Sequence, residues 1–152
     1  MLTPLNYPKV ELDLTKKEGK IYVWDIFRQK RLLVTPEEWV RQHVLHYLAV
    51  HKAVPKGLIA SEYAININGL VRRCDGVVFD RNGAPLLIVE CKAPEIKLTE
   101  DVFHQIAQYN FKLRVRWLMM TNGLQTIVAN VNQQTGEIIY TEEIPSYEEL
   151  LF

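Results

Sequence analysis

One stretch of the chain is apolar on both faces of the strand that it predicts. In residues 85–92, Leu86 and Ile88 would share one face and Leu87 and Val89 the other, because side chains alternate along a strand. A strand with two apolar faces is typical of the centre of a sheet that is covered on both sides. The stretch therefore predicts a layered α/β fold around a central strand.

The neighbouring residues predict a mixed sheet flanked by helices. Residues 71–80 form a second strand-like run, and Asn82-Gly83 between the two apolar runs predicts a β-hairpin. Helices are expected after the caps Thr35 and Thr99. Further strands are expected at 58–66, at 117–120 and 126–129 around a second Asn-Gly turn, and at an edge, 137–140. We expect one domain with a β-rich lead-in (1–34), a core (35–131) and a C-terminal extension (132–152).

Composition excludes several classes of protein. A chain of 152 residues with 48% hydrophobic and 24% charged residues is ordinary for one globular domain. No apolar stretch approaches the roughly 18 residues of a membrane span, and the first residues do not resemble a signal peptide. With Cys74 and Cys91 as its two cysteines, the chain is not expected to be a disulfide-rich secreted protein, and a cytoplasmic location is expected.

Ionisable residues end the central strand. Glu90 and Lys92 continue one of its buried rows, which costs free energy unless they are paired or bind a metal. Asp75 lies as far before Asn82-Gly83 as Glu90 lies after it, so a tight hairpin would place the two carboxylates about 5 Å apart. With no other charge nearby they would repel each other, and a hard divalent cation would relieve that repulsion.

These three residues allow two interpretations. In one, Asp75 and Glu90 hold a cation that binds a scissile phosphate and polarises its water, and Lys92 orients or deprotonates that water. In the other, Glu90 and Lys92 form a structural ion pair and Asp75 caps a turn. Taken alone, so short a pattern favours the structural interpretation.

The order of elements and several short motifs resemble the PD-(D/E)xK nuclease superfamily. Its core of helix, three strands, helix and strand matches residues 35–121, and Asp75 with Glu90-Cys91-Lys92 matches its signature. Gln105 and Tyr109 resemble the QxxxY element of RecB-like members, and their i, i+4 spacing puts them on one helix face. The chain is most similar to the N-terminal nuclease domain of type I restriction enzyme R subunits, over roughly residues 20–130. This second resemblance rests on residues 35–42, 73–78, 88–94, 109–110 and 121–123.

The resemblance implies a metal-dependent DNA endonuclease with a restriction-endonuclease-like fold. Asp75, Glu90 and Lys92 would be the catalytic residues. Asp75, Glu90 and the backbone carbonyl of Cys91 would bind Mg²⁺, for which Mn²⁺ could substitute. The alternative is a DNA- or protein-binding module that keeps the nuclease fold without catalysis.

The resemblance also implies accessory residues around the metal site. Gln105 and Tyr109 would approach it from the second helix. An acidic residue of the first helix is often near the metal in this superfamily. Glu37 is preferred for this role because it shares the helix's apolar face, whereas Glu38 fits a capping box with Thr35; a solvated helix start is the alternative for both. A basic rim suited to phosphates, or merely scattered solvated charges, is expected from Arg72, Arg73, Lys97, Arg114 and Arg116.

Two features depart from these resemblances. Cys74 replaces the proline of the superfamily name, at a position that tolerates substitution. No G-x-x-x-x-G-K-[ST] loop, which the motor of an R subunit would carry, is present, so no ATP site is expected.

The charge of the chain bears on its partners. The 18 basic and 18 acidic residues balance, whereas DNA binders usually carry a basic excess. We therefore expect DNA as a partner together with a motor or specificity subunit, and no membrane; the oligomeric state is open, a dimer included.

Overall fold

The computed structural model describes residues 2–152, which form two β-sheets and three α-helices. The helices are α1 (Pro36–His51), α2 (Glu100–Leu113) and α3 (Tyr147–Leu150). The strands are β1 (Leu14–Lys17), β2 (Lys20–Asp25), β3 (Lys30–Leu33), β4 (Ile59–Ile67), β5 (Leu70–Phe79), β6 (Pro85–Cys91), β7 (Trp117–Thr121), β8 (Thr126–Val131) and β9 (Ile138–Thr141).

The larger sheet has the strand order β4-β5-β6-β7-β8-β9. Strands β6 and β7 are parallel, and the other neighbours in this sheet are antiparallel. A parallel pair needs a crossover connection, and α2 provides it. The mixed α/β core with the order helix, three strands, helix and strand is therefore confirmed, as is the edge strand near the C-terminus.

Helices α1 and α2 cover opposite faces of this sheet. Leu87 and Val89 of β6 belong to the cluster that includes Val44 of α1, whereas Ile88 belongs to the cluster that includes Ile106 of α2. The prediction that β6 is a central strand with two buried faces is thus confirmed. Strand alternation produces both faces, since neighbouring side chains point to opposite sides.

The buried stripe of α2 differs from the predicted one. The sequence pattern predicts Val102, Ile106, Tyr109 and Leu113, but Val102 and Tyr109 are 38% and 42% exposed. Phe103 is fully buried instead, because it removes more apolar area from water than Val102 would. The residues of α2 that are buried are Phe103, Ile106, Ala107, Asn110 and Leu113.

The hairpin of β5 and β6 has the predicted register but a longer connection. Gly76 is opposite Val89, and the same register carried one residue further sets Asp75 opposite Glu90. The connection is residues 80–84, closed by a hydrogen bond from the Asp80 amide to the Ala84 carbonyl at 2.8 Å. The expected two-residue turn is therefore wrong. A bulge between Val78 and Phe79 compensates for the difference in length.

Gly76 lets α1 lie close to the sheet. A Cβ atom at this position would be 2.8 Å from the Cδ2 atom of Leu45 on α1 and 3.3 Å from the Cβ atom of Val89. Both distances are shorter than ordinary carbon contacts. This close approach brings the first turns of α1 next to the residue before Gly76, which is Asp75.

The smaller sheet consists of the N-terminal strands in the order β1-β2-β3. This sheet is the β-rich lead-in that the sequence predicts, and β2 pairs in it with both β1 and β3. Within residues 2–152, none of the helices has the length and apolarity that a membrane crossing needs.

Candidate active site

The carboxylates of Asp75 and Glu90 lie together at one end of the larger sheet. The β5–β6 ladder stops at Gly76 and Val89, immediately before this pair. The Cys91 amide donates to Oδ2 of Asp75 at 2.7 Å, so a side-chain bond takes the place of the next backbone pairing. Asp75 is also near enough to Glu90 for a hydrogen bond between their side chains when one is protonated. The predicted juxtaposition of the two carboxylates is thus present.

Glu90 is buried and prefers to hold a proton. Burial raises the pKa of Glu90 to about 7; the Arg72 charge opposes this rise and the Asp75 charge adds to it. Nη2 of Arg72 donates to Oε1 of Glu90 at 2.6 Å. One guanidinium is therefore not enough to offset the loss of water around this carboxylate and the neighbouring negative charge.

Asp75 is bonded at both carboxylate oxygens. Besides the Cys91 amide at Oδ2, Nη2 of Arg41 donates to Oδ1 at 2.8 Å. Burial tends to lower the pKa of the Arg41 guanidinium, but the hydrogen bond to Asp75 and the Glu38 charge outweigh it and raise this pKa. Arg41 is consequently a permanent positive charge beside Asp75.

A buried chain of ion pairs extends from Arg41 to the N-terminal sheet. Nη1 of Arg41 donates to Oε1 of Glu38 at 2.5 Å, and Nη2 of Arg28 donates to Oε2 of Glu38 at 2.7 Å. Arg28 in turn pairs with Asp25, the last residue of β2, which is fully buried. Buried charges are tolerated when each is paired in this way. The β2–β3 turn is thereby connected to Asp75.

The first helix presents Glu38, not Glu37, to this network. Thr35 caps α1 by accepting from the Glu38 amide, as predicted. The Glu38 side chain does not complete the capping box, since it bonds to arginines instead. Glu37 is exposed, so the expectation that it shares the buried face is wrong. The reason is that Pro36 and Glu37 precede the part of α1 that lies on the sheet. A role for Glu37 in metal binding stays a prediction.

Lys92 follows the last residue of β6 and is half-buried. Its backbone amide donates to the Thr121 carbonyl at 2.9 Å, which fixes the chain beside β7. Its ammonium is near enough to Glu90 to lower the pKa of that carboxyl. Among residues 2–152 no carboxylate lies within ion-pair distance of Lys92. The structural ion pair of Glu90 with Lys92 is therefore not formed, and Glu90 pairs with Arg72.

Tyr109 of α2 reaches the site through Arg72. The guanidinium carbon of Arg72 lies 5.0 Å from the centroid of the Tyr109 ring, a cation–π distance. Gln105 is exposed one turn earlier on α2 and lines a surface cavity together with Tyr109. Its predicted contact with the metal site stays a prediction.

Cys91 contributes its backbone, not its thiol. The side chain is buried in the cluster on the α1 side, and burial raises the pKa of the thiol well above its usual range. Burial likewise raises the pKa of the Cys74 thiol to about 12. Both thiols therefore stay protonated and are not nucleophiles. The Cys91 carbonyl as a metal ligand stays a prediction.

The expected basic rim does not form as a unit. Arg72 lies in the site, and Arg73 beside it is exposed and 3.6 Å from Glu62. Arg114 and Arg116 precede β7, whose start lies beside the start of the parallel strand β6. They are consequently at the opposite end of the sheet from Glu90, and their inclusion in the rim is wrong.

The donor atoms at this site fit a small, hard cation. Two adjacent carboxylates and a neighbouring backbone carbonyl form an all-oxygen set, which Mg²⁺ and Mn²⁺ prefer. Burial and the Asp75 charge raise the pKa of Glu90, so a cation beside the pair would favour its ionised form. In residues 2–152 no cluster of three or more His, Cys, Asp or Glu side chains has metal-binding geometry. A cation here would therefore retain water or phosphate oxygens as further ligands, as Mg²⁺ commonly does.

Two arginines of the site were not recognised from the sequence as partners of the carboxylates. The sequence could have identified Arg41 as buried, because it lies four residues before Leu45 and seven before Leu48, on an apolar helix face. A charged residue on such a face predicts a buried partner. Arg72 carried no comparable signal, since it lies on a weakly patterned part of β5 next to other charged and polar residues, where an arginine is expected to be solvated.

Comparison with known proteins identifies the family. The profile of the N terminus of the type I restriction enzyme R protein matches residues 36–145. The chain belongs to this family. No curated protein matches the chain.

A solved structure of an R-subunit fragment shares the fold at low sequence identity. A fragment assigned to an HsdR subunit of a type I restriction enzyme from Vibrio vulnificus superposes with a TM-score of 0.54 at 19% identity, over 78% of this chain and 25% of that one. The matched part of this chain thus covers a quarter of that fragment's length. A structure assigned as a DUF820 nuclease from Anabaena variabilis has a TM-score of 0.49 at 16% identity, over 95% of this chain and 87% of that one. This R-protein N-terminal domain has a restriction-endonuclease-like fold.

Proposed function

We propose that this R-protein N-terminal domain hydrolyses phosphodiester bonds in DNA with a divalent cation. The observation that carries the proposal is the Asp75–Glu90 pair at one end of the sheet, with the ammonium of Lys92 beside it. Family membership supports DNA as the substrate, because the matching family belongs to restriction enzymes.

In the proposed reaction each residue has a separate task. Asp75, Glu90 and the Cys91 carbonyl would hold Mg²⁺, which supplies charge neutralisation at the phosphate and a more acidic bound water. As an ammonium, Lys92 orients the attacking water and offsets charge on the phosphate oxygens; as the neutral amine, it would instead accept the proton of that water. Arg41 keeps the Asp75 carboxylate in one orientation through the bond at Oδ1.

We infer that DNA affinity comes largely from a partner. The balanced charge of the chain, 18 basic and 18 acidic residues, provides little nonspecific attraction to phosphates. A motor or specificity subunit would supply DNA contacts and deliver the strand to this domain. A DNA- or protein-binding module without catalysis is the alternative, and cleavage assays separate the two.

The test is substitution of Lys92 by alanine. We expect Lys92→Ala to keep the Mn²⁺ affinity within about twofold, because Lys92 is not a ligand, and to lower cleavage about a hundredfold or more. Calorimetric titration with Mn²⁺ and cleavage of supercoiled, linear and single-stranded DNA measure these effects. Lys56→Ala, an exposed lysine ahead of β4, is the matched control and should match the wild type in both assays.

Two results would contradict the proposal. If the wild-type protein neither binds Mn²⁺ nor cleaves any of these DNA forms, alone or with its partner subunits, the domain is a binding module. If Lys92→Ala cleaves as fast as the wild type, the cleavage does not arise at this site.

A further inference from the structure

The Arg72 guanidinium lies between the Glu90 carboxylate and the Tyr109 ring. Its Nη2 donates to Oε1 of Glu90 at 2.6 Å, and its carbon is 5.0 Å from the centroid of the ring. Arg72 lies on the part of β5 that continues beyond the β5–β6 ladder. Its side chain is 24% exposed, whereas that of Glu90 is 10% exposed. Arg72 is therefore at the mouth of the site, between the buried carboxylate and solvent.

Arg72 uses little of its capacity to donate hydrogen bonds. Within residues 2–152, Nη2 has the Glu90 partner, and the buried Nε has no acceptor. A buried donor without an acceptor costs free energy. The planar fork of a guanidinium matches two oxygens of a phosphate as well as two of a carboxylate. These two points indicate that an anion other than Glu90 belongs at this arginine.

We propose that Arg72 is a catalytic residue that binds the scissile phosphate and that it pairs with Glu90 only in the metal-free protein. The proposal rests on the function proposed above. A guanidinium and a divalent cation both neutralise Glu90, so they compete for the same carboxylate. When Glu90 serves as a metal ligand, Arg72 stays stacked on Tyr109 and donates to the non-bridging phosphate oxygens. There it offsets the charge of the transition state.

Arg41 is not a candidate for the same exchange. Its guanidinium is held by Glu38 at 2.5 Å as well as by Asp75 at 2.8 Å, and the residue is 6% exposed. Glu62 is a third carboxylate, 3.7 Å from its Nη2. A buried arginine among carboxylates has no path to a phosphate without breaking these pairs. Arg72 has Glu90 as its ion-pair partner among the described residues, so losing this pair frees it.

The test compares Arg72→Gln with Arg81→Gln. Arg81 is an exposed residue of the β5–β6 connection, at the opposite end of β6 from Glu90. We expect Arg72→Gln to bind Mn²⁺ about tenfold more tightly in the absence of DNA, because a competing charge is removed. The same variant should cleave DNA about a hundredfold more slowly, mainly through kcat. Arg81→Gln should change neither quantity by more than about twofold.

Opposite changes in metal affinity and cleavage are the signature of this role, because a purely structural arginine would lower both. Arg72→Lys keeps a charge next to Glu90 and the fold with it. It should bind Mn²⁺ within about twofold of the wild type and cleave about tenfold more slowly, since the fork is lost.

The outcomes separate this proposal from the proposed function. Wild-type protein that binds Mn²⁺ and cleaves DNA, combined with an Arg72→Gln variant that binds Mn²⁺ less tightly or cleaves at the wild-type rate, overturns the role of Arg72 alone. Wild-type protein without metal binding and without cleavage overturns both.

Discussion

The two carboxylates of the candidate site lie at neighbouring strand ends but in different surroundings. Asp75 has a bond at each oxygen, from Arg41 and from the Cys91 amide. Glu90 has one guanidinium partner at the mouth of the site, and burial raises its pKa to about 7. Asp75 is therefore held in one orientation, whereas Glu90 is the carboxylate that, in the proposed mechanism, would exchange a proton or an arginine for the cation.

The difference arises from the second contact that each arginine makes. Arg41 also pairs with Glu38, which in turn pairs with Arg28 of the N-terminal sheet. Arg72 also contacts the Tyr109 ring, which attracts a cation more weakly than a carboxylate does. One half of the site is thus part of a buried charge network, and the other half is partly exposed to solvent.

The largest effect expected from this comparison is on stability at Asp75. Asp75→Asn should lower the free energy of unfolding by about 2 kcal/mol, because the buried Arg41 loses a charged partner. If the two carboxylates faced each other without arginines, the same change would relieve repulsion and stabilise the protein. Urea denaturation in EDTA measures the difference, and Asp101→Asn, an exposed acid of α2, should stay within about 0.5 kcal/mol of the wild type. If Asp75→Asn were as stable as the wild type, the ion pair of Asp75 with Arg41 would not stabilise the fold, and the proposed difference between Asp75 and Glu90 would be wrong.

A smaller effect of the opposite sign is expected at Glu90. Its folded-state pKa of about 7 exceeds its ordinary 4.5, so the folded protein keeps a proton that the unfolded chain has lost. The stability of the metal-free protein therefore falls as pH rises from 4.5 through 7. Glu90→Gln should remove this dependence and, above pH 7, raise the free energy of unfolding by about 1 kcal/mol. Thermal unfolding across this pH range tests this prediction. If the stabilities of variant and wild type changed in parallel with pH, the ionisation of Glu90 would not contribute to stability.

The smallest effect on stability is expected at Gln105, on the open side of the site. Gln105→Ala should change the free energy of unfolding by less than about 0.5 kcal/mol, because water replaces the lost partner of an exposed amide. If Gln105 contacts the phosphate or the metal-bound residues, cleavage should fall about tenfold. Gln108→Ala, a second exposed glutamine of α2, is the matched control. Equal cleavage by the two variants would leave the QxxxY resemblance without a functional meaning.

The predictability of the fold follows from its local patterns. The run at β6 shows alternation on two apolar faces, and the Asn-Gly turns lie where the hairpins reverse. The predicted register, with Asp75 opposite Glu90, was also correct. The turn is longer than the sequence suggests, but a bulge in β5 makes up the difference. The predicted buried stripe of α2 was wrong at Val102 and Tyr109. An amphipathic pattern does not determine which residues at the edges of the apolar face are buried, and packing against the sheet does.

The sequence by itself determined the order of helices and strands in the core, the central position of β6 and the pair of carboxylates at its end. These features depend on side-chain periodicity and on residues close together along the chain. The tertiary structure alone decided which charge compensates each carboxylate. Arg41 reaches Asp75 because Gly76 lets α1 lie close to the sheet. Arg72 reaches Glu90 from the neighbouring strand. Such pairings join residues far apart in sequence, and burial makes them strong, so no local pattern specifies them.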